Sequence, residues 1–166
     1  MTGTGPLAGS IAQMQYTVQP VGYVVGGRAE AEDDHWGPER AIIRLDASRF
    51  TPDALLGLEE FSHLEVAFLF DRVPDDKIEY GARRPRNNPD WPLTGVFAQR
   101  GRSRPNRIGV SRCELIAVDG LDVQVAGLDA IDGTPVLDIK PYLTEFGPRG
   151  EVRQPSWSAE LMAEYY

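Results

Sequence analysis

Short runs in which apolar side chains alternate with polar ones, or follow one another without a break, recur along most of the chain. Such runs are typical of β-strands, whose successive side chains point to opposite faces of a sheet. Residues 64–70 are almost continuously apolar, as in a strand that is buried on both faces. The same criteria predict further strands at residues 17–25, 41–45, 95–99, 108–118, 121–127 and 135–139.

Turn signals between these strands predict their arrangement. Asp119-Gly120 separates the strands at 108–118 and 121–127, which should pair antiparallel because glycine accepts the positive φ of a tight hairpin turn. Several short strands joined by turns, without an internal repeat, predict a mainly β fold of the barrel or sandwich type. Two long loops, an acidic one at 26–38 and a basic, proline-rich one at 75–92, are of a length that is usually functional or disordered.

Helical signals are few. Residues 51–56 predict one short turn, with Thr51 as the capping residue and Pro52 at the first helical position. Residues 156–166 predict a short C-terminal helix with one apolar stripe, formed by Trp157, Leu161 and Tyr165. That stripe packs either on the body of the chain or on a partner.

The composition is that of a globular protein and excludes several classes. A length of 166 residues suits one domain with a short extension, and 42% hydrophobic residues are enough for a core. No apolar run approaches the roughly 18 residues that cross a bilayer, and the first residues lack the basic start of a signal peptide, so we expect a cytoplasmic protein. The expected parts are a flexible leader (1–15), a β-rich domain (16–145) and a tail with a helix (146–166).

Charge is distributed unevenly along the chain. The net charge is −8, but eight arginines and one acidic residue between positions 83 and 112 give that segment +7 and leave −15 for the rest. Arginine is favoured where a carboxylate or phosphate is held by two parallel hydrogen bonds. The segment is therefore either a loop that grips such a ligand or a solvated loop paired with acidic residues elsewhere.

Motifs of several common enzyme classes are absent from the sequence. There is no GxGxxG, P-loop, HExxH or GxSxG motif, which argues against a Rossmann dinucleotide site. Two histidines and one cysteine offer no paired-ligand zinc site, so we expect no metal, and Cys113 is either a buried core residue or a reactive thiol. His35 lies beside Asp33, Asp34 and Trp36, a group that either lines a pocket for a cation or forms a solvated acidic loop.

Two segments combine a predicted strand with a dense group of polar residues. An arginine-rich loop follows the strand at 95–99, and loops at strand ends commonly hold ligands. Around the turn at Asp132-Gly133, the carboxylates of Asp129, Asp132 and Asp138 lie close together in sequence with Lys140. This second group fits either a ligand site or ordinary turn chemistry.

Four blocks of the sequence resemble, in order and spacing, those of the TsaA-like family. They read FSHL at 61–64, GVFAQR at 95–100, RPNRIG at 104–109 and LDAIDGTPVLDIKPY at 128–142. The family includes S-adenosylmethionine-dependent methyltransferases that act on threonylcarbamoyl-adenosine next to the tRNA anticodon. The resemblance implies a single-sheeted β-barrel of about seven strands, the cofactor S-adenosylmethionine, a homodimer and N-methylation of a modified adenosine in tRNA.

The resemblance also implies residue roles. Arg100 is expected to bind the methionine carboxylate of the cofactor, and the turn that ends at Asp132 is expected to face its cationic sulfonium. The full set of implied cofactor contacts is Arg100, Ile108, Leu128, Asp129, Ala130, Ile131, Asp132, Asp71 and Arg72, the last two where the family usually has His-Gln. Candidates for the general base are Asp132, Asp138 and His35, and those for RNA or substrate binding are Arg83, Arg84, Arg86, Arg102 and Arg104.

Departures from the family pattern predict a divergent subgroup. Arg107 stands where the family usually has proline, and Gln99 stands where it usually has threonine. The methyl acceptor is therefore either tRNA or a small metabolite. A third alternative is a non-catalytic module that binds S-adenosylmethionine or a nucleotide.

Overall fold

A computed structural model describes residues 14–166 of the chain. Its regular elements are eight β-strands and one short α-helix, besides several single turns of 3-10 helix. The strands are β1 (Gly22–Val25), β2 (Arg40–Leu45), β3 (His63–Leu69), β4 (Ala82–Arg83), β5 (Thr94–Gly95), β6 (Ile108–Asp119), β7 (Asp122–Ala126) and β8 (Pro135–Pro141), and the helix is α1 (Ser156–Leu161). The predicted leader (1–15) falls almost entirely outside the described residues.

Six of the strands form one closed antiparallel barrel in the order β1-β2-β7-β6-β3-β8. The single-sheeted barrel is thus confirmed, with six strands instead of about seven. The predicted hairpin is also confirmed, since β6 and β7 pair antiparallel from Asp119 opposite Asp122, and Gly120 has a φ of 60°. Strands β4 and β5 form a separate two-stranded ribbon in the long connection between β3 and β6.

The core fills the inside of the barrel because alternate residues of each strand point inward. Its fully buried side chains include Phe68 of β3, Ile43 of β2 and Val136 of β8. Cys113 of β6 belongs to this core, and burial raises the pKa of its thiol to about 12, so the interpretation as a core residue is confirmed. Gly109 lies opposite Phe68 in the sheet, and a Cβ at that position would lie 2.5 Å from the phenyl ring.

Strand directions place three of the connections at the same rim of the barrel. Neighbouring strands alternate in direction, so β1, β3 and β7 end where β2, β6 and β8 begin. The connections at this rim are residues 26–39, 70–107 and 127–134. The connection at 46–62 and the tight turn at Gly120 lie at the opposite rim.

Local differences from the sequence-based expectations have local causes. The strand predicted at 95–99 is wrong: β5 ends at Gly95, and Val96–Ala98 form a 3-10 turn. The Gln99 amide donates to the carbonyl oxygens of Arg83 and Thr94 at 2.9 and 2.7 Å, and such side-chain bonds compete with strand pairing. The first strand begins at Gly22 instead of residue 17, after Pro20, which lacks the N–H that a sheet requires.

The two predicted helical segments are present but shorter. Pro52–Leu55 form one 3-10 turn preceded by Thr51, although the Thr51 side chain makes no capping hydrogen bond. Helix α1 ends at Leu161, and its apolar stripe packs on the chain's own body, with the rings of Trp157 and Trp91 6.4 Å apart. Within residues 14–166, no helix is long and apolar enough to cross a membrane.

Candidate functional site at the barrel rim

Asp132 joins the three rim connections. Its Oδ1 accepts a hydrogen bond from the Gly26 N–H at 2.8 Å, and its own N–H donates to the Arg28 carbonyl at 2.7 Å. The Arg72 guanidinium, from the connection between β3 and β6, donates to the Asp132 carbonyl at 2.9 Å and to the Ala29 carbonyl at 3.1 Å. These bonds fix the relative positions of the segments that carry most of the predicted site residues.

An ion pair joins the acidic loop (26–38) to the arginine-rich connection, which is the rim connection at 70–107 between β3 and β6. The Arg86 guanidinium binds both carboxylate oxygens of Asp34, at 2.7 and 2.9 Å. The hydrogen bond from Arg86 lowers the pKa of Asp34, and its charge acts in the same direction. Part of the arginine-rich segment is thus paired with acidic residues of the protein itself, which is one of the two alternatives left open by the sequence.

The cation pocket predicted around His35 is occupied by the protein's own arginine. The Arg28 guanidinium lies 4.3 Å from the centre of the Trp36 ring, in a cation–π arrangement, and its Nε is 2.8 Å from the Glu39 carboxylate. Trp36 itself is buried. His35 is exposed and has a φ of 64°, and its backbone carbonyl accepts a further bond from Arg28.

The C-terminal tail returns to the same rim. The N–H groups of His35 and Trp36 donate to the carbonyls of Glu164 and Tyr165, both at 2.8 Å. The Tyr165 hydroxyl donates to Oδ2 of Asp129. The tail therefore lies against both the acidic loop and the turn between β7 and β8.

Asp129 has one oxygen with a partner and one without. Oδ2 is held by Tyr165, whereas Oδ1 is buried and accepts no hydrogen bond from the described residues. The hydroxyl of Ser111, on the inner face of β6, is likewise buried and lies next to the Tyr166 phenol. Buried polar atoms are nearly always hydrogen-bonded in folded proteins, so Asp129 Oδ1 is a candidate for a ligand contact.

A positive and a negative side chain lie beside these atoms. Burial raises the pKa values of both Tyr165 and Tyr166, Asp129 raises them further, and Arg100 lowers them, so the two charges act on the same two phenol groups. The Arg100 guanidinium also donates to the Val110 carbonyl at 2.7 Å, next to Ser111. The group of Arg100, Asp129, Ser111 and the two tyrosines is referred to below as the rim cluster.

Most of the predicted cofactor residues meet at this rim. Arg100 and Asp129 belong to the rim cluster, and Leu128 and Ala130 are buried beside it. Ile108 is the first residue of β6 and is 43% exposed. Asp71 and Arg72 follow β3, and Arg72 reaches the carbonyl of Asp132, so this pair lies at the same end of the barrel as Ile131 and Asp132.

The three candidates for the general base are not equivalent. Asp132 lies at the rim, where its Oδ1 is held by a backbone N–H and its Oδ2 accepts no bond from the described residues. His35 is exposed beside the tail. Asp138 lies within β8, is exposed and is paired with Lys140, so the fold separates it from the others.

The five arginines predicted to bind RNA or substrate differ in their partners. Arg83 lies 3.6 Å from the Glu79 carboxylate, and Arg86 is held by Asp34. Arg84 donates to the Trp91 carbonyl, and Arg104 donates to the Gln99 carbonyl at 3.1 Å, so neither is neutralised by these bonds. Arg102 is exposed and forms no ion pair or side-chain hydrogen bond within the described part of the chain.

Sequence reasoning missed Tyr165 and Ser111 as site residues. The sequence pattern places Tyr165 in an apolar packing stripe, and only its hydroxyl distinguishes it from a core aromatic residue. Ser111 alternates with Gly109 and Cys113 along β6, so the period-two pattern places it on the inner face and marks it as a buried polar residue. Among the described residues, no group of three or more His, Cys, Asp or Glu side chains is arranged to hold a metal ion.

Comparisons with known proteins identify relatives of this chain. A model of the tRNA-methyltransferase O N-terminal domain matches residues 34–147. The tRNA (adenine(37)-N6)-methyltransferase of Escherichia coli (strain K12) is 44% identical over 105 residues, which cover 61% of this chain and 44% of that protein. A putative S-adenosylmethionine-dependent methyltransferase, RcsF of Pseudomonas aeruginosa, is 36% identical over 135 residues, 78% of this chain and 56% of that protein.

A solved structure supports the fold. The crystal structure of TrmO from Pseudomonas aeruginosa superimposes with a TM-score of 0.72 at 30% identity, covering 90% of this chain and 65% of that chain. The chain spans about half the length of the two curated relatives, 44% and 56%.

Proposed function

We propose that this chain, which belongs to the tRNA-methyltransferase O N-terminal domain family, binds S-adenosylmethionine at the barrel rim and transfers its methyl group to a nitrogen of a modified adenosine in tRNA. The observation that carries the proposal is the rim cluster, in which Asp129 Oδ1 is buried without a partner in residues 14–166 and the oppositely charged Arg100 acts on the same two tyrosines as Asp129 does. The names of the two curated relatives support both the cofactor and the acceptor.

The rim cluster fits the methionine part of the cofactor because that part is a zwitterion. Arg100 would bind the carboxylate, for which a planar guanidinium is well suited. Asp129 Oδ1 would accept a hydrogen bond from the ammonium group, which would satisfy a buried carboxylate oxygen. The full set of proposed cofactor contacts is Arg100, Ile108, Leu128, Asp129, Ala130, Ile131, Asp132, Asp71 and Arg72.

The chemistry required of the protein is mainly alignment. When bound, the cofactor supplies a methyl group: its carbon–sulfur bond breaks, a carbon–nitrogen bond to the acceptor forms, and the acceptor nitrogen releases one proton. The rim connections are held together by Asp132 and Arg72, and rigid positioning of two reactants can lower a barrier by many kcal/mol. We assign the proton acceptor to Asp132 ahead of Asp138 and His35, because its Oδ2 is free of partners from the described residues and lies at the rim.

Positive charge near the rim supports an RNA acceptor. Arg84, Arg102 and Arg104 form no ion pair with an acidic side chain of the described residues, and tRNA offers phosphates that arginine binds well. A small metabolite is the second candidate acceptor, which is favoured by the −15 charge outside the arginine segment, since that charge repels RNA. The cytoplasm is where tRNA and the cofactor are found together, so we propose that location.

A homodimer is the proposed assembly. Ile108 and Val110 lie on the same outer face of β6 and are 43% and 41% exposed, and Phe97 nearby in sequence is 80% exposed. Exposed apolar side chains close to a site commonly mark an interface. Light scattering coupled to size-exclusion chromatography should give twice the mass of one chain, whereas the mass of a single chain would contradict the dimer.

Titration of the purified protein with S-adenosylhomocysteine in a calorimeter tests the cofactor site. We expect saturable binding with one ligand per chain. Absence of binding would contradict the proposed function. Binding without methyl transfer to tRNA or to a metabolite would instead identify the chain as a non-catalytic S-adenosylmethionine-binding module.

A further inference from the structure

We propose that the C-terminal tail completes the cofactor site, with Tyr165 as a positioning residue that holds the Asp129 carboxylate for the ammonium group of the cofactor. The inference rests on the proposed function, because it concerns the same site. The match to the family domain ends at residue 147, so the segment 148–166 lies outside the part of the chain that the family model describes.

The tail is fixed at the rim by contacts along its length. In its middle, at helix α1, the Trp91 indole N–H donates to the Glu160 carboxylate at 2.8 Å, and Trp157 packs against the same Trp91 ring. Further on, the backbone carbonyls of Glu164 and Tyr165 accept hydrogen bonds from the acidic loop. These contacts involve two of the three rim connections, so the position of Tyr165 is set by the fold of the rim.

Tyr165 acts on Asp129 as a hydrogen-bond donor. Its hydroxyl donates to Asp129 Oδ2, and its ring meets that of Tyr166 edge-on at 4.9 Å. Burial, together with the negative charge of Asp129, raises the pKa of Tyr165, so the phenol keeps its proton at neutral pH. A protonated phenol beside a carboxylate gives a charge-assisted hydrogen bond, which is stronger than a bond between neutral groups.

The bond leaves the second carboxylate oxygen without a partner from the described residues. Because Oδ2 is held, the carboxylate has a fixed orientation, and Oδ1 is buried without a partner among the described residues. A carboxylate that is already oriented loses less conformational entropy when it binds a cation than a freely rotating one. Arg100, whose guanidinium binds the carbonyl of Val110 next to Ser111, carries the opposite charge at the same rim, so the two side chains match the two charged groups of an amino acid and not a simple cation.

Replacement of Tyr165 by phenylalanine tests the role directly, because it removes the hydroxyl and keeps the ring. We expect Tyr165→Phe to raise the calorimetric Kd for S-adenosylhomocysteine by about tenfold, the usual order for a lost charge-assisted hydrogen bond. The matched control is Tyr80→Phe, which removes an equivalent hydroxyl from a side chain that is 77% exposed. The control should bind the ligand as the wild type does, and both variants should keep the wild-type melting temperature within a few degrees.

A double-mutant cycle separates positioning from a general structural effect. If Tyr165 acts through Asp129, Tyr165→Phe should cost little further affinity in the Asp129→Asn background, and the two effects should be non-additive. Additive losses, an unchanged Kd in Tyr165→Phe, or tighter binding as expected of a tail that blocks the site would each overturn the inference. Failure of the proposed function is distinguishable, because the wild type itself would then bind no S-adenosylhomocysteine.

Discussion

Carboxylates of the same chemical type at one rim differ in what they can do, because their partners differ. Both carboxylate oxygens of Asp34 accept hydrogen bonds from the Arg86 guanidinium. One oxygen of Asp132 accepts a hydrogen bond from the Gly26 N–H. Only Asp129 combines burial, a neutral donor on one oxygen and an unpartnered second oxygen within residues 14–166. Such differences decide which carboxylate can receive a cationic ligand group without first giving up a bond of its own.

Replacement of Arg100 by alanine should weaken cofactor binding without unfolding the protein. The guanidinium is exposed and makes one bond to the Val110 carbonyl, so little stability depends on it, whereas a ligand carboxylate would lose its charged partner. We expect the Kd for S-adenosylhomocysteine to rise by about tenfold or more in a calorimetric titration. Arg44→Ala, which removes an arginine paired with Asp122 on the barrel wall, should leave that Kd unchanged. Equal Kd values for wild type and Arg100→Ala would remove Arg100 from the site.

Gly109 is required by packing and not by backbone conformation. A methyl group at this position would lie 2.5 Å from two carbons of the Phe68 ring, which is fixed in the barrel core. We expect Gly109→Ala to lower the free energy of unfolding by about 1–3 kcal/mol, as overpacked cores do. Gly101→Ala is the control, since nothing lies within 4 Å of a Cβ there. Urea denaturation of both variants measures the difference, and equal stability would show that the ring moves aside freely.

At the level of elements, most strands and one hairpin were predictable from the sequence, whereas the contacts between distant segments were not. Alternation in β6 and β7 and the glycine turn between them depend on neighbours in sequence, so a local pattern reveals them. The strand predicted at 95–99 is wrong, because the Gln99 side chain donates hydrogen bonds to the carbonyls of Arg83 and Thr94. The spacing of apolar residues does not reveal such bonds. The contact between Tyr165 and Asp129 spans 36 positions and depends on closure of the barrel, which sequence alone does not specify.

The bridge between the acidic loop and the arginine-rich connection should contribute stability that depends on pH. The pKa of Asp34 is lowered in the folded protein, from an ordinary value near 3.8, by its bonds to Arg86. A carboxylate whose pKa is lower in the folded state stabilises the fold at pH values above its pKa in the unfolded state. That stabilisation is lost as the pH falls through its pKa in the folded state. Because both side chains are partly exposed, we expect Asp34→Asn to cost at most about 1 kcal/mol at neutral pH.

The pH dependence of that cost is the test. The difference in unfolding free energy between wild type and Asp34→Asn should shrink as the pH falls below about 4. Ser48→Ala is a control for the method, since Ser48 stabilises the charged form of a different carboxylate, that of Asp46, on the surface. When Ser48→Ala is added to both the wild type and Asp34→Asn, the difference in unfolding free energy between the two proteins should stay the same at each pH. A difference that is constant with pH would show that the ion pair does not stabilise the fold.

Considered as a whole, the molecule is acidic with one basic region. The arginine-rich segment carries +7 against −15 for the rest of the chain, and part of its charge is compensated by internal ion pairs. An RNA that approaches the rim would therefore meet a limited set of uncompensated arginines. The long-range charge of the molecule favours binding through that region only, with the remaining surface repelling phosphates.

Arg102 and Arg86 should contribute unequally to tRNA binding. Arg102 has no partner in the described part of the chain, whereas Arg86 would have to leave Asp34 to reach a phosphate. We expect Arg102→Ala to reduce tRNA affinity more than Arg86→Ala does, and to lower the slope of log Kd against log salt by about 0.7–0.9, the value for one phosphate contact. Filter binding across a salt series measures both quantities. Equal effects of the two substitutions would indicate that the arginine region does not bind the phosphate backbone in this way.

Transfer of a labelled methyl group tests the central claim most directly. The protein is incubated with S-adenosylmethionine carrying a labelled methyl group, together with bulk tRNA or with a metabolite extract of the same cells, and label is measured in each acceptor. We predict label in tRNA, in an N-methylated adenosine after digestion to nucleosides, and its loss in Arg100→Ala. Label confined to the metabolite extract, or absent from both acceptors, would contradict a tRNA methyltransferase.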